Sequence, residues 1–262
     1  MTFSTTQISV AANNNKFASD RFVHPNGVLY LGDCVRRMRA MKNGSVDFVL
    51  TDPPYGVNYK DRTGRSIQGD VELDWLKPAF KEMYRVLRPN SFAVSFYGYN
   101  RIADFSAAWQ AAGFEMVGHF TFAKHYASNR GRGYTSRRHE NAYLLVKGRP
   151  VSPTNPPNDV LRWGRYTGNR LHPTQKPIEP LCELIKAYSK PGQVVLDPFS
   201  GSGSTAEAAV REGRRFIGVD LEPRFFQASA QRLAEVPASL PQLERPAPPV
   251  LRSQRNLRVC AA

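Results

Sequence analysis

Short apolar runs alternate with amphipathic segments along most of the chain, and this alternation constrains the fold more than any other feature. Seven runs predict strands: GVLYL (27–31), VDFVLT (46–51), SFAVSFY (91–97), FEMVGHFTF (114–122), NAYLLVK (141–147), QVVL (193–196) and RFIGV (215–219). Most of these runs are continuously apolar, as in parallel strands that are buried on both faces. The sequence therefore predicts an α/β fold with a mostly parallel, seven-stranded sheet.

Apolar residues at helical spacing predict helices between these strands; Leu76, Phe80 and Met83 are one example. Only a basic loop separates the runs 114–122 and 141–147, so we expect them to form one antiparallel hairpin. Residues 28–235 are the predicted folded domain. The polar residues 1–27 and the Pro-rich residues 236–262 are predicted to be flexible tails.

The charge of the chain indicates a polyanionic partner. The formal net charge is +14 over 262 residues, with a pI near 10. Residues 122–170 hold ten lysines and arginines and only two acids, interspersed with tyrosines and a tryptophan. Such a segment suits contacts with phosphates beside aromatic surfaces on which bases can stack. A charged loop exposed to solvent is the simpler alternative.

Other classes of protein are disfavoured by composition. No apolar run approaches the roughly 20 residues that span a bilayer, and no secretory pattern opens the chain. The three cysteines lie far apart, and the histidines show no spacing typical of metal ligands. We therefore expect a cytoplasmic protein that contacts no membrane and binds no metal.

The apolar run 46–51 ends abruptly at Asp-Pro-Pro-Tyr (52–55). Proline cannot donate to a sheet, so the chain must leave the strand at this point. A stiff turn is one interpretation. A rigid rim that presents a carboxylate, restricted carbonyls and an aromatic face to a ligand is the other.

A second strand end carries the stretch DPFSGSGST (197–205), with glycines at positions 201 and 203, and a helix follows it. Glycines allow close approach of backbone to a ligand, and a helix N-terminus is electropositive. The next strand ends at Asp220, where an acid can accept both hydroxyls of a ribose. The spacing Gly-x-Gly-x-x-Ala leaves a nicotinamide dinucleotide and another adenosine cofactor equally open. Ligands of open α/β sheets bind beyond the carboxyl ends of the strands, so we expect Asp52 and Asp197 to face one crevice.

Three motifs in this order, DPPY, HPTQKP (172–177) and DPFSGSGST, resemble the prokaryotic and phage DNA amino-methyltransferases of the β group. The resemblance covers roughly residues 28–235. It implies a Rossmann-like methyltransferase sheet with a circularly permuted motif order. It also implies S-adenosylmethionine as the cofactor, which favours that cofactor over a nicotinamide dinucleotide.

The resemblance assigns residues by position. Asp52, Pro53, Pro54 and Tyr55 match the catalytic tetrapeptide of that family. The cofactor-binding residues that it implies are Asp33, Lys176, Asp197, Phe199, Ser200, Gly201, Gly203 and Asp220. Asp33 has a second interpretation, because it also stands where the N-cap of a helix is expected.

The resemblance implies transfer of a methyl group to the N6 amino group of a flipped-out adenine in double-stranded DNA. Asp at the first catalytic position favours adenine over the N4 amino group of cytosine. A non-catalytic DNA-binding protein on the same scaffold and an RNA methyltransferase stay open as alternatives. Carbon-5 transfer to cytosine is disfavoured, because no Pro-Cys pair occurs in the chain.

Target recognition is predicted for two basic insertions, about 123–138 and 148–171. The arginines expected to contact DNA are Arg130, Arg132, Arg137, Arg138, Arg162 and Arg165. The resemblance also leaves a homodimer and a cognate restriction endonuclease open as partners, and nothing in the sequence decides either.

Overall fold

The computed structural model describes residues 20–56, 73–128, 135–164 and 175–239. The strands over these ranges are β1 Arg21–His24, β2 Gly27–Leu31, β3 Val46–Thr51, β4 Leu87–Tyr97, β5 Glu115–Ser128, β6 Arg137–Lys147, β7 Val160–Arg162, β8 Val194–Asp197 and β9 Arg215–Asp220. The helices are α1 Cys34–Arg39, α2 Leu76–Val86, α3 Ile102–Ala112, α4 Ile178–Tyr188, α5 Ser204–Arg211 and α6 Pro223–Ala234. One 3₁₀ turn, Tyr99–Arg101, precedes α3.

All nine described strands belong to one sheet, in the order β1-β2-β9-β8-β3-β4-β6-β5-β7. The central strands β2, β9, β8, β3 and β4 are parallel, so their carboxyl ends meet at one edge of the sheet. Strand β6 is antiparallel to both β4 and β5, and β7 is parallel to β5. The beginning of β6 and the ends of β5 and β7 therefore lie at this same edge. We call it the carboxyl edge.

The two faces of the sheet are covered by different helices. Helices α1, α2 and α3 pack on one face, and α4, α5 and α6 pack on the other. Each face forms its own hydrophobic core with its helices, and side chains of β3 alternate between them. Phe48 and Leu50 point to the core under α4, α5 and α6, whereas Val49 points to the core under α1, α2 and α3. The longest described helix has 12 residues, and none could cross a membrane.

The predicted α/β class and the mostly parallel sheet are confirmed, but the predicted strand count of seven is wrong. The two additional strands are β1 and β7, which are short and lie near opposite ends of the strand order. The β1–β2 pair is a second antiparallel hairpin, where the sequence predicted one. The sheet thus begins at Arg21, inside the range predicted as a tail, and the division into a domain and two tails otherwise stays a prediction.

Trp109 on α3 is fully buried and packs edge-on against Phe80 and at a tilt against Tyr143. Trp109→Ala should lower the free energy of unfolding by about 3–5 kcal/mol, because it removes the largest buried side chain of this face and leaves a cavity. Val151→Ala is the control, since that side chain is 90% exposed. Urea unfolding followed by circular dichroism measures both, and equal midpoints would contradict this account of the core.

Candidate active site

The carboxyl ends of β3 and β8 lie side by side at the point where the chain connections diverge. From β3 the chain proceeds to β4 on one side, and from β8 to β9 on the other. The Thr51 hydroxyl at the end of β3 donates to Asp197 Oδ1 at the end of β8, over 3.1 Å. The segments that begin at Asp52 and Asp197 therefore share one edge of the sheet, as expected from the sequence. Open α/β sheets bind their ligands at such a point.

The Asp52 carboxylate has a donor on each oxygen. The Tyr55 hydroxyl donates to Oδ1 over 2.7 Å, and the Lys176 ammonium donates to Oδ2. Burial raises the pKa of Asp52, and the Lys176 charge acts in the opposite direction. The backbone of Gly98 packs closely against Tyr55, and a Cβ at position 98 would lie only 2.9 Å from the Tyr55 Cβ. A carboxylate held in this way is pre-positioned at the rim.

Lys176 connects the two segments physically. Its backbone carbonyl accepts from the hydroxyl of Ser204, the first residue of α5, over 3.0 Å. Its side chain extends from there to Asp52 and lies among three aromatic rings. The Nζ atom is 4.9 Å from the ring centre of Phe96, 5.7 Å from that of Trp163 and 5.8 Å from that of Tyr55.

Glu140 on β6 is a second acceptor for Lys176, at 3.3 Å from Nζ. Its other oxygen accepts from Lys124 on β5 over 2.5 Å. Burial would raise the pKa of Glu140, but the two ammonium groups outweigh it and lower the pKa. The pKa of Lys176 is raised, because its two carboxylate partners outweigh the effect of burial. Four charges thus alternate in sign from Asp52 through Lys176 and Glu140 to Lys124.

Lys124 and Trp163 were expected only as part of the basic, aromatic segment 122–170, and Glu140 had no predicted role. One signal was available for Glu140, because it is one of only two acids in the basic segment 122–170. An acid in such a segment is expected to be paired. Which lysine it pairs with depends on the strand register, and the sequence does not contain that information.

The turn after β8 is tied to the sheet by backbone and side-chain hydrogen bonds. Asp197 Oδ1 accepts from the Phe199 amide over 3.1 Å, and the Phe199 ring packs on Trp75 with a centroid distance of 4.9 Å. Burial raises the pKa of Asp197 to about 6. Asp197 is therefore a structural anchor of the turn, and its carboxylate is turned inward.

Residues 200–203 form the bend that leads into α5. The Ser200 amide donates to the Val219 carbonyl of β9 over 2.8 Å. Gly201 and Gly203 both have positive φ angles, 51° and 77°, which side chains rarely adopt. A Cβ at Gly203 would also lie 2.3 Å from Ser229 Oγ on α6. Only glycine permits this bend to pack so closely.

Asp220 closes the bend from the neighbouring strand. Its Oδ2 accepts from the Gly201 amide over 2.7 Å, and its Oδ1 accepts from the Glu222 amide over 2.8 Å. Burial raises the pKa of Asp220 to about 7, although both backbone bonds act to lower it. The register Leu31↔Asp220 brings the segment after β2 to the same place.

Asp33 follows β2 and is the N-cap of α1, where its side chain accepts from the Arg36 amide over 2.7 Å. The structure therefore shows the helix-capping role that the sequence left open. The Gly32 amide donates to the Asp220 carbonyl over 2.8 Å, so Asp33 still lies near the acid of β9.

The bend, the start of α5 and Asp220 fit the adenosine part of a cofactor. Backbone amides at a helix N-terminus suit polar groups of a ligand, and an acid beside them suits a ribose. Ser200 Oγ is buried and has no hydrogen-bond partner among the described residues. Such an atom in a cofactor loop is consistent with a polar ligand group nearby.

Three of the predicted DNA-contacting arginines can be placed. Arg137 lies over the exposed ring of Tyr99 at 4.9 Å and donates to its hydroxyl over 2.6 Å. Arg138 donates to the His125 carbonyl over 3.2 Å, and Arg162 ends β7 with an exposed side chain. All three lie at the carboxyl edge, beside the candidate site. Arg130, Arg132 and Arg165 lie outside the described residues.

The sequence profile of the DNA methylase family, whose name covers N6 and N4 methyltransferases, matches residues 46–231. The match includes both strand-end segments and everything between them. The chain belongs to the DNA methylase family. Its predicted kinship with the amino-methyltransferases is thereby confirmed.

Individual relatives agree with the family. The chain is 52% identical over 211 residues to the protein of Escherichia coli K12 named "Putative methylase YubD"; the match covers 80% of this chain and 92% of YubD. It is 26% identical over 251 residues to the DNA adenine methyltransferase YhdJ of the same organism, covering 81% and 84% of the two chains. The crystal structure of M1.HpyAVI in complex with SAM superposes with a TM-score of 0.61 at 27% identity, over 78% of this chain and 98% of that one.

Asp220→Asn should change how stability depends on pH. A carboxyl with a pKa of about 7 in the folded protein and near 4 in the unfolded chain binds its proton more tightly when folded. Stability therefore falls as pH rises through this window, and the asparagine variant lacks that loss. Its free energy of unfolding relative to wild type should rise by on the order of 2 kcal/mol between pH 4.5 and pH 8. Urea unfolding at both pH values measures this, and parallel curves for the two proteins would refute it.

Proposed function

We propose that the chain transfers a methyl group from S-adenosylmethionine to the N6 amino group of adenine in duplex DNA. The position of Lys176 carries this proposal. Its backbone is bound to the first residue of α5, after the glycine bend, and its side chain is bound to Asp52. A cofactor at the bend and a base at Asp52 would thus both lie next to Lys176.

The cofactor side of the site consists of the bend 200–203, Asp220 and the start of α5. S-adenosylmethionine would supply a methyl group on a positively charged sulfur, and a neutral thioether would leave with the electrons of the broken C–S bond, so the transfer needs no metal. Asp220 is suited to the ribose hydroxyls, and the amides of the bend to other polar groups. The SAM complex of M1.HpyAVI, at 27% identity over most of this chain, supports this choice of cofactor.

Asp52 and the Pro53 carbonyl are the acceptors for the target amine. The lone pair of an exocyclic amine is conjugated with the ring, so the nitrogen is a poor nucleophile. Hydrogen bonds from the amine to two acceptors favour a pyramidal nitrogen and stabilise the positive charge that develops on it. Asp52 is also placed to accept the proton that the methylated amine must lose. The prolines restrict φ, so these acceptors lose little entropy on binding.

The base must leave the helix to reach these acceptors, at a cost of a few kcal/mol. Stacking on Tyr55, worth about 1–3 kcal/mol, offsets much of this cost. The hydroxyl of Tyr55 donates to Asp52, which fixes the ring at the rim. Stacking and acceptance of the amine are therefore coupled through one hydrogen bond.

DNA is proposed to approach along the carboxyl edge. Arg137, Arg138 and Arg162 lie there, and Arg130, Arg132 and Arg165 belong to the same two basic insertions. Contacts of such arginines with phosphates would orient the duplex, and contacts with guanine edges would select the sequence.

Adenine is the proposed target for two reasons. Asp at the first catalytic position is the form that the resemblance associates with adenine. YhdJ, a relative at 26% identity, is named a DNA adenine methyltransferase. Neither reason depends on the basic insertions, where the sequence preference resides.

Expression of the chain in bacteria that lack their own adenine methylation should produce N6-methyladenine in their DNA. Digestion to nucleosides and mass spectrometry detect the product, and modification-sensitive sequencing locates the site. Vector-only cells are the control. N4-methylcytosine in place of N6-methyladenine would overturn the proposed target, and the absence of either product would overturn the activity.

Asp52→Ala and Asp220→Ala should separate chemistry from cofactor binding. Asp52→Ala should lower kcat by about 10²–10³-fold, because it removes one preorganised acceptor of the developing charge. Its dissociation constant for S-adenosylmethionine should stay within about twofold of wild type.

Asp220→Ala should instead weaken cofactor binding by about 10- to 100-fold, the effect of one lost hydrogen bond to a charged group. Titration calorimetry and incorporation of labelled methyl groups measure the two quantities. Glu82→Gln, in an ion pair on α2, serves as the control for both variants. Wild-type kcat in Asp52→Ala would remove Asp52 from the mechanism.

A further inference from the structure

Both oxygens of the Asp52 carboxylate are engaged before any substrate binds. Tyr55 donates to one and Lys176 to the other. Each oxygen keeps a second lone pair, so an incoming amine can bind while both donors stay, but it then shares the carboxylate with an ammonium.

Lys176 is the donor whose departure helps the reaction. Transfer of a methyl group to an amine builds positive charge on the nitrogen, and an ammonium on the same carboxylate opposes that charge. Tyr55 carries no charge and is needed as the stacking surface. Its bond to Asp52 can therefore persist while the Lys176 bond is broken.

Lys176 cannot simply be released. Its side chain is 6% exposed and lies among the rings of Phe96, Trp163 and Tyr55. A buried ammonium without a carboxylate partner is costly. Glu140 is 3.3 Å from its Nζ atom and offers that partner within the same set of rings.

We propose that Glu140 is a positioning residue that takes the Lys176 ammonium from Asp52 when the target amine arrives. This inference rests on the proposed methyl transfer. Lys176 moves from one carboxylate to the other and keeps an ion pair throughout. Asp52 gains a free oxygen for the amine, and the cation that opposed the developing charge moves away.

Lys124 sets how strongly Glu140 attracts Lys176. It donates to the second oxygen of Glu140 over 2.5 Å, and its ammonium lies 4.6 Å from the Trp163 ring centre. The charged groups that face Lys176 among the described residues are Asp52 and Glu140. Because Lys124 competes for Glu140, its removal should favour the transfer of Lys176 to Glu140.

The test uses single-turnover methyl transfer with labelled S-adenosylmethionine and a duplex that contains the site mapped in cells. Glu140→Gln should lower the transfer rate by about tenfold, within the coupling of residues that share one charge network. Its dissociation constants for S-adenosylmethionine and DNA should stay within about twofold of wild type. Glu82→Gln makes the same change in an ion pair on α2 and should transfer at the wild-type rate.

Lys124→Met distinguishes this role from a structural one, and it does so even if Glu140→Gln does not fold. At saturating DNA its transfer rate should equal or exceed that of wild type. Thermal melting is measured alongside for each variant. A network that only stabilises the fold would make the two variants lose rate and stability together.

A wild-type transfer rate in Glu140→Gln would overturn the role of Glu140. So would a loss of transfer rate in Lys124→Met as large as the loss in Glu140→Gln. Failure of the proposed function looks different. In that case the wild-type protein itself transfers no methyl group to any DNA.

Discussion

The ion pair between Lys176 and Asp52 is the interaction on which the rest of the site depends. Lys176 enters the site immediately before α4, is bound by α5 through its carbonyl and reaches the end of β3 through its ammonium. The Asp-Pro-Pro-Tyr rim and the glycine bend are thereby held at one point. Burial raises the pKa of Asp52, so a neighbouring cation is what favours its ionised form.

Carboxylates gather at the carboxyl edge because every central strand ends there. Three of these carboxylates have different hydrogen-bond partners. Asp197 is turned inward and anchors the bend, Asp220 accepts two backbone amides, and Asp52 is paired with a lysine. Burial raises the pKa of all three, and carboxylates with pKa values perturbed by burial are common at functional sites.

Much of the architecture could be predicted from the pattern of the chain. The seven apolar runs became strands, since burial on both faces demands continuous apolar residues. Strand β7 escaped prediction because VLR has only three residues, and β1 because RFVH has only two apolar residues between an arginine and a histidine. They form strands only because the neighbouring strands β2 and β5 offer hydrogen bonds to them. Asp33 could not be decided from sequence, since an N-cap and a ligand acid look the same there.

The sequence by itself determined the fold class, the order of the motifs and the identity of the groups at each strand end. Strand ends and glycine bends follow from local chemistry, which a linear pattern contains. Only the tertiary structure decided that Glu140 and Trp163 lie beside Lys176 and that Lys124 pairs with Glu140. Those contacts join β5, β6 and the end of β7 to the segment before α4, and they depend on strand register and order across the sheet. No local pattern encodes which distant lysine will lie beside a given glutamate.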